Sequence, residues 1–336
     1  MTNTPVTPSE YKSKLNLIQT ELAIKQLKEF FENKLSKELH LIEISAPLFL
    51  KNGTGLNDNL NGVERVVSFE AYDLRDNLEI VQSLAKWKRN ALKKYNIPVG
   101  SGIYTNMNAI RRDEMLDCLH SIYVDQWDWE KVISCEQRNL DNLVTEVQTI
   151  YKAIKETEEY LYQKFPLLNP ILPNEITFIT SQQLEDRYPG VSPKERENKI
   201  AKEFGAVFIM QIGGELRSGE KHDGRSPDYD DWALNGDIIF WYPEIQKALE
   251  VSSMGIRVNA ESLIKQLKQS GNEERSKLEY HQAVLKGLLP FSIGGGIGKS
   301  RLCMFLLKKI HIGEVQVSVW NDDIIQECKL ANIPLL

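Results

Sequence analysis

The run Ile293-Gly294-Gly295-Gly296-Ile297-Gly298-Lys299-Ser300-Arg301 constrains the fold of this chain more than any other segment. It passes through Gly-Lys-Ser, as a phosphate-binding loop does. Such a loop needs a further glycine five positions before the Gly-Lys pair, and there the chain carries Ile293. Only 35 residues follow Arg301, too few for the rest of a parallel nucleotide-binding domain opened by that loop. The expectation is instead a glycine-rich strand that ends in an arginine and runs into the apolar segment Leu302–Leu307.

Length and charge narrow the class. A chain of 336 residues with 42% hydrophobic content can bury one large core or two ordinary ones. Its net charge of −6 makes nucleic acid a weak candidate partner, because proteins that grip phosphate backbones are usually basic. Met1 to Ser9 lacks the charged-then-apolar order of a signal peptide, and no apolar run approaches membrane-spanning length. The four cysteines show no Cys-x-x-Cys spacing and, with five scattered histidines, suggest no metal cluster. These features lead us to expect a reduced, cytoplasmic protein without a membrane partner.

No repeat, low-complexity tract or linker divides the sequence, so one catalytic domain over 1–336 is expected. Its N-terminal helix covers about 9–38 and its core about 41–336. Tyr11, Leu15, Ile18, Leu22, Leu27, Phe30 and Phe31 recur at helical spacing. So do Leu140, Leu143, Val147, Ile150, Ile154 and Leu161 within a second helix at 137–164, closed by Phe165-Pro166. Strand-like runs occupy 41–50, 63–69, 79–84, 121–129, 176–180, 206–212, 237–242 and 248–257, and another spans 104–110. Many follow one another with no helix between them. The fold class expected is therefore α+β, a mainly antiparallel sheet flanked by helices.

Polar residues interrupt several of these runs. Alternation puts Ile122, Val124, Gln126 and Asp128 on one strand face and Tyr123, Asp125, Trp127 and Trp129 on the other. Along 248–257, Glu250 and Ser252 share one face, and Val251 and Ser253 the other. Asp237 opens another strand, and carboxylates on neighbouring strands could hold Mg²⁺. Read alone, each acid is better explained as a surface group paired with Lys or Arg. Arg111 follows one strand and Arg301 follows the glycines; a guanidinium suits bidentate contact with phosphate or carboxylate.

Taken together, Arg111 after a strand, Glu250 on another, and a glycine-rich strand ending in Arg301 resemble the class II aminoacyl-tRNA synthetase core. Longer strings resemble one branch of that superfamily, the asparagine synthetase A (ammonia-dependent aspartate–ammonia ligase) family. They are Gly55–Gly62, Ser83–Arg89, His120–Glu130, Pro227–Trp232, Leu234–Asp237, Glu250–Arg257 and Gly294–Arg301. The chain departs from some members at Gln82, where they carry His. It also departs at Ala233, which stands where they carry a longer insert.

The resemblance implies a homodimer that joins L-aspartate and ammonia with ATP through a β-aspartyl-AMP intermediate. It implies that Arg111 bridges the substrate carboxylate and the α-phosphate, and that Lys88 adds positive charge near aspartate. Asp237 and Glu250 would hold Mg²⁺, and Arg301 would pack on the nucleotide. Asp58 and Gln126 would face the amino acid, with Asp58 able to take a proton from ammonium. Ser83, Ser252, Ser253 and Arg257 would contact substrate, with Arg257 on the α-carboxylate. His120, Asp230, Gly296 and Gly298 would belong to the nucleotide end. Two other readings are a paralogue that binds amino acid and ATP without ligating, and a tRNA synthetase. The full arginine–carboxylate set argues against the first, and the acidic charge against the second. A glutamine-fed enzyme is not expected, since residue 2 is Thr and no Cys precedes Cys118.

Overall fold

The computed structural model describes residues 11–58 and 64–336. The first residues of the expected helix (9–10), Val63 and the Asn59–Gly62 end of one matched string lie outside them. In chain order the elements are α1 (Leu17–Leu39), β1 (Leu41–Glu43), β2 (Phe49–Lys51), β3 (Ser68–Phe69), β4 (Leu78–Ile80), α2 (Ala85–Lys94), β5 (Gly102–Ile110) and β6 (Tyr123–Val132). There follow α3 (Leu140–Lys164), β7 (Thr177–Thr180), α4 (Ser181–Arg187), α5 (Pro193–Phe204), β8 (Ala206–Met210) and β9 (Asp230–Tyr242). The chain continues with β10 (Lys247–Arg257), α6 (Ala260–Gln269), α7 (Glu279–Leu285), β11 (Ser292–Gly298), α8 (Lys299–Leu306) and α9 (Asp322–Leu330).

Among the described residues, eight strands form one sheet in the order β1-β5-β6-β11-β10-β9-β8-β7. Its central pairings are antiparallel, and parallel pairs occur at the two edges, β1 with β5 and β7 with β8. The α+β class is as expected. One face carries the main core. α1 starts at an Asn16–Gln19 capping box and buries Ala23, Ile24, Leu27, Phe31, Leu35 and Leu39 at spacings of one turn. Phe31 packs against Trp127, ring centroids 4.8 Å apart, and Phe30 stacks on Tyr160 of α3 at 4.2 Å. Each large apolar side chain so buried contributes about 1.5–3 kcal/mol.

The elements differ from the sequence expectation in four places. The first helix begins at Leu17 and not near residue 9, because Asn16 caps it, so Tyr11 and Leu15 precede it. The run 41–50 is two strands in two sheets, separated by a segment containing Pro47, which has no N–H for a ladder. β2, β3 and β4 form a separate three-stranded sheet, so the runs at 63–69 and 79–84 yield only short strands. β9 begins at Asp230, seven residues before the expected start, because Asp230 pairs in register with Arg257 of β10.

A bulge in β10 changes which side chains share a face. Glu250 pairs with Ile239 and Ser252 with Ile238, so Val251 is the extra residue. Val251 and Met254 join the main core, and Ser252 pairs with Ile297 of the same core. Ser253 pairs with Gly296 and with Asp237. Glu250 therefore shares its face with Ser253 and not, as simple alternation had it, with Ser252. Among the described residues, the Ser252 hydroxyl is buried without a partner.

The opposite face holds a row of glycines. A Cβ on Gly294 would meet the Glu130 carboxylate, and would come within 2.6 Å of the Trp129 carbonyl oxygen and 2.7 Å of Arg257 Nη2. On Gly298 it would meet only ordinary contacts from 3.5 Å outward. Gly294→Ala is therefore expected to cost about 3 kcal/mol through overpacking, against no more than about 1 kcal/mol for Gly298→Ala. Urea unfolding followed by Trp fluorescence measures both.

Candidate active site

The site rises from the sheet face opposite α1. On β6, Gln126, Asp128 and Glu130 project to this side, and Trp127 and Trp129 to the core. The alternation read from the sequence thus separates a polar face from an aromatic one. Across the ladder, Gly298, Gly296 and Gly294 stand opposite those three polar residues. Without side chains of their own, the glycines leave room for the neighbouring amide and carboxylates.

The floor is ionic and closed to solvent. Lys88, on α2, is fully buried. Its ammonium pairs with Asp128, donates to the carbonyl oxygens of Trp129 at 2.8 Å and Gly295 at 3.1 Å, and lies 3.8 Å from Glu130. Arg257 clasps Glu130 in bidentate fashion, Nε–Oε1 2.9 Å and Nη2–Oε2 2.6 Å, and its Nη1 pairs with Asp230. Ser292 donates to Glu130 Oε1 at 2.7 Å. Burial pulls the Lys88 pKa down, opposed by Asp128 and Glu130. Burial would raise the Glu130 carboxyl, but Arg257 and Lys88 outweigh it and hold the pKa below its usual range. Burial raises Asp230, against the pull of Arg257. Arg257, expected to await a substrate carboxylate, is instead largely committed to two protein carboxylates. A buried guanidinium requires such partners.

Above this floor lies a cleft of about 430 Å³. It brings together Ser83, Lys88, Arg111, His120, Gln126, Asp230, Glu250, Ser252, Ser253, Arg257, Gly296, Gly298 and Arg301 from the sequence reading. Arg111 directly follows β5; among the described residues its Nε is buried and unpartnered, and its nearest carboxylate, Glu114, is 4.0 Å away. Arg301 donates to the Glu250 carbonyl oxygen at 3.2 Å and lies 3.8 Å from the Glu250 carboxylate. His120 contacts Asp117 at 2.8 Å. Lys299 bonds to Asn106, and Ser300 donates to Asp125 at 2.6 Å, so neither has the partners a phosphate loop would give it.

Two expected residues lie behind the cleft wall. Asp237 pairs with Arg225, which lines the cleft. Burial, with help from Glu250 and Asp223 and against Arg225, pushes the Asp237 carboxyl up to about 7. Asp58 is buried beside Ser226, whose Oγ is 3.1 Å from Asp58 Oδ1. Among the described residues, no three His, Cys, Asp or Glu side chains already converge as a metal site.

Sequence reasoning passed over Asp128, Glu130, Arg225 and Ser226 as site residues. The first two were signalled by period-two spacing from Gln126. The other two lie in a segment without periodicity, and only the fold brings them to the cleft. A larger cavity, about 930 Å³, opens around Trp232 and Ala233, but neither Arg111 nor Arg301 lines it.

An antiparallel sheet with this glycine strand and these two arginines defines a class II aminoacyl-tRNA synthetase type of catalytic fold. Two asparaginyl-tRNA synthetases solved with asparaginyl-adenylate superpose on it. The Pyrococcus horikoshii enzyme gives a TM-score of 0.64 at 15% identity, covering 88% of this chain and 68% of its own. The Entamoeba histolytica enzyme gives 0.63 at 13%, covering 89% and 66%. The chain thus spans about two thirds of the length of these synthetases. Within that class, the profile of the aspartate–ammonia ligase family matches residues 18–332, and the chain belongs to this family. Aspartate–ammonia ligases of Clostridium perfringens and Pediococcus pentosaceus are similar to it at 60% and 57% identity. The matches cover 98% of this chain and 98% and 99% of theirs.

Glu130 balances two buried cations, so neutralising it should uncouple the floor. Glu130→Gln is expected to destabilise the protein by about 3–5 kcal/mol, the range for breaking a buried pair from one side. Urea unfolding measures this, and the carboxylate-free variant should also lose the steep acid-side fall in stability. The pKa of Glu130 is lower in the folded protein than in the unfolded one. Its contribution is therefore present above the unfolded pKa and lost as pH falls through the folded one.

Proposed function

We propose that this protein makes L-asparagine from L-aspartate, ammonia and ATP, releasing AMP and diphosphate. The observation that carries the reading is the pair of incompletely partnered guanidiniums, Arg111 and Arg301, at a cleft whose floor charges are already balanced. Such donors are free to receive anions. Full-length kinship to proteins named aspartate–ammonia ligase supports the substrate class.

A carboxylate is a poor acyl donor because its leaving group would be oxide. In the proposed first step a β-carboxylate oxygen of aspartate attacks the α-phosphorus, and diphosphate leaves. The product is a mixed anhydride. In the second step ammonia attacks the β-carbonyl carbon, the C–O bond to phosphate breaks, and AMP departs. The protein's part is to hold two anions together and balance charge as it moves.

Arg111 bridges the β-carboxylate and the α-phosphate, using the donors it leaves open. Arg301 lies along the nucleotide, with Gly296 and Gly298 letting it approach the backbone, and His120 closes that end; Asp230, expected there, is held at the floor by Arg257. Lys88 and Arg257 act as fixed positive charge beneath the amino acid, where Ser83, Gln126, Ser252 and Ser253 offer polar contacts. Asp237 and Glu250 would hold Mg²⁺ once Arg225 and Arg301 turn to the phosphates. Carboxylate oxygens suit this cation, and phosphate oxygens and water complete its shell. Bound there, Mg²⁺ would supply charge neutralisation on the phosphates. Asp58 takes a proton from ammonium, since only NH₃ is nucleophilic.

We propose a cytoplasmic homodimer as the working form. No helix among the described residues is long and apolar enough to cross a membrane, and α1 leaves Ile18 and Leu22 exposed.

Product analysis tests the chemistry. With Mg²⁺, aspartate and ammonium, ATP should yield AMP and diphosphate, and ADP would overturn the adenylation step. Without ammonium, aspartate should drive exchange of diphosphate into ATP. Arg301→Ala is expected to lower kcat at least about 100-fold with the fold intact, as when a preorganised transition-state donor is lost. A near-normal rate would remove the role given to this arginine.

A further inference from the structure

Behind the cleft wall two buried carboxylates share one hydroxyl. Ser226 Oγ lies 3.1 Å from Asp58 Oδ1 and 2.8 Å from Asp228 Oδ1. A hydroxyl has one proton to donate. If that proton serves Asp228, Asp58 Oδ1 faces an oxygen lone pair and is satisfied only when it carries a proton itself. The surroundings decide which carboxylate claims the donor. Asp228 Oδ2 receives Lys86 Nζ at 3.2 Å, His281 Nε2 at 2.9 Å and Arg275 Nη1 at 3.4 Å. Among the described residues, Asp58 Oδ2 is buried without a hydrogen-bond partner.

We infer that Asp228 is a positioning residue for Asp58: held anionic by Lys86, Arg275 and His281, it takes the Ser226 proton and sets a fixed negative charge beside Asp58, making Asp58 a stronger proton acceptor. The inference rests on the reading that Asp58 deprotonates ammonium. The step balances. Ammonium gives one proton to the Asp58 carboxylate, leaving neutral ammonia with its lone pair, and the new Oδ1–H completes the bond to Ser226 Oγ. An ordinary carboxylate is a weak base toward ammonium, so raising its basicity brings it nearer the working pH.

The groups that face Asp58 are Lys86 from α2, Asp228 and Tyr229 from the segment before β9, and Arg275 from the short turn at 273–277. His281, from α7, acts through Asp228. Burial pushes the Asp58 carboxyl up to about 6, with Asp228 adding to the rise and Lys86 opposing it. For Asp228, burial works against the anion, and Lys86, His281 and Arg275 overcome it and hold its pKa far below the usual range. The two carboxyls are thus driven apart, as expected for neighbouring acids in unequal surroundings.

Infrared titration of the intact enzyme tests this. Asp58→Asn identifies the carboxyl band, which should be neutral below and ionised above a midpoint near 6. Asp228→Asn should lower that midpoint by about one unit or more, because a neighbouring like charge is gone. It leaves Lys86 and Arg275 short of a counter-ion, so folding is checked by near-ultraviolet circular dichroism. Ser226→Ala keeps those charges paired and should lower the midpoint by less, since Oδ1–H loses only its acceptor. An unmoved midpoint in the folded variants overturns the inference. The acidic limb of kcat/KM against pH should follow the infrared midpoint in Asp228→Asn. If the midpoint moves and the limb does not, the positioning by Asp228 stands and the role of Asp58 in turnover falls.

Discussion

The rest of the site depends on the clasp between Arg257 and Glu130 beneath the glycine strand. Both groups are buried, and each would be costly without the other. The clasp joins β10 to β6 across β11, the strand between them in the sheet. Gly294 makes that crossing possible, because any side chain there would stand where Glu130 and Arg257 meet. From this pair the network spreads to Asp230 on β9 and to Lys88 on α2. Four strands and a helix are thereby tied at one point. The opening glycine run is best understood from that contact: it is a gap in the side-chain layer through which charges on neighbouring strands reach each other.

Balanced charge below and open charge above are separate functions. Lys88 and Arg257 have carboxylate partners, so their positions hold whether or not a substrate is present. Arg111 and Arg301 have few, so their donors remain available. A cleft built only of free cations would bind anions but would not fold economically around them. One built only of closed pairs would fold but bind weakly. The sheet solves this by depth, with the closed pairs on the floor and the open guanidiniums at the strand and helix ends.

Much of this was legible in the sequence, for reasons that differ residue by residue. Gln126 and Asp128 were placed on one face because a strand has a strict period of two. The aromatic pair Trp127 and Trp129 then had to be core. Arg111 and Arg301 stood out because each follows a strand, where a side chain is fixed at its base and free at its tip. Alternation failed in β10 because one extra residue at Val251 shifts the phase, and nothing in the local sequence marks it. Asp230 was expected at the nucleotide end, because its counter-ion, Arg257, is distant in the chain and unmarked in the sequence. The partner of a buried charge is a tertiary property, and propensity carries no record of it.

Asp58 and Asp228 make the same point more sharply. Each is an unremarkable acid in its own segment, and 168 residues separate Asp58 from the serine that joins them. Brought together, they cannot behave alike. One hydroxyl proton cannot satisfy two carboxylates, and the nitrogen groups of Lys86, Arg275 and His281 all lie on one side of the choice. Unequal basicity therefore follows from the count of donors and from their placement. Burial is the larger cause of the raised Asp58 pKa, and the second, fully neutralised acid adds to it. Ser226, which lines the cleft, is the group that joins the two carboxylates.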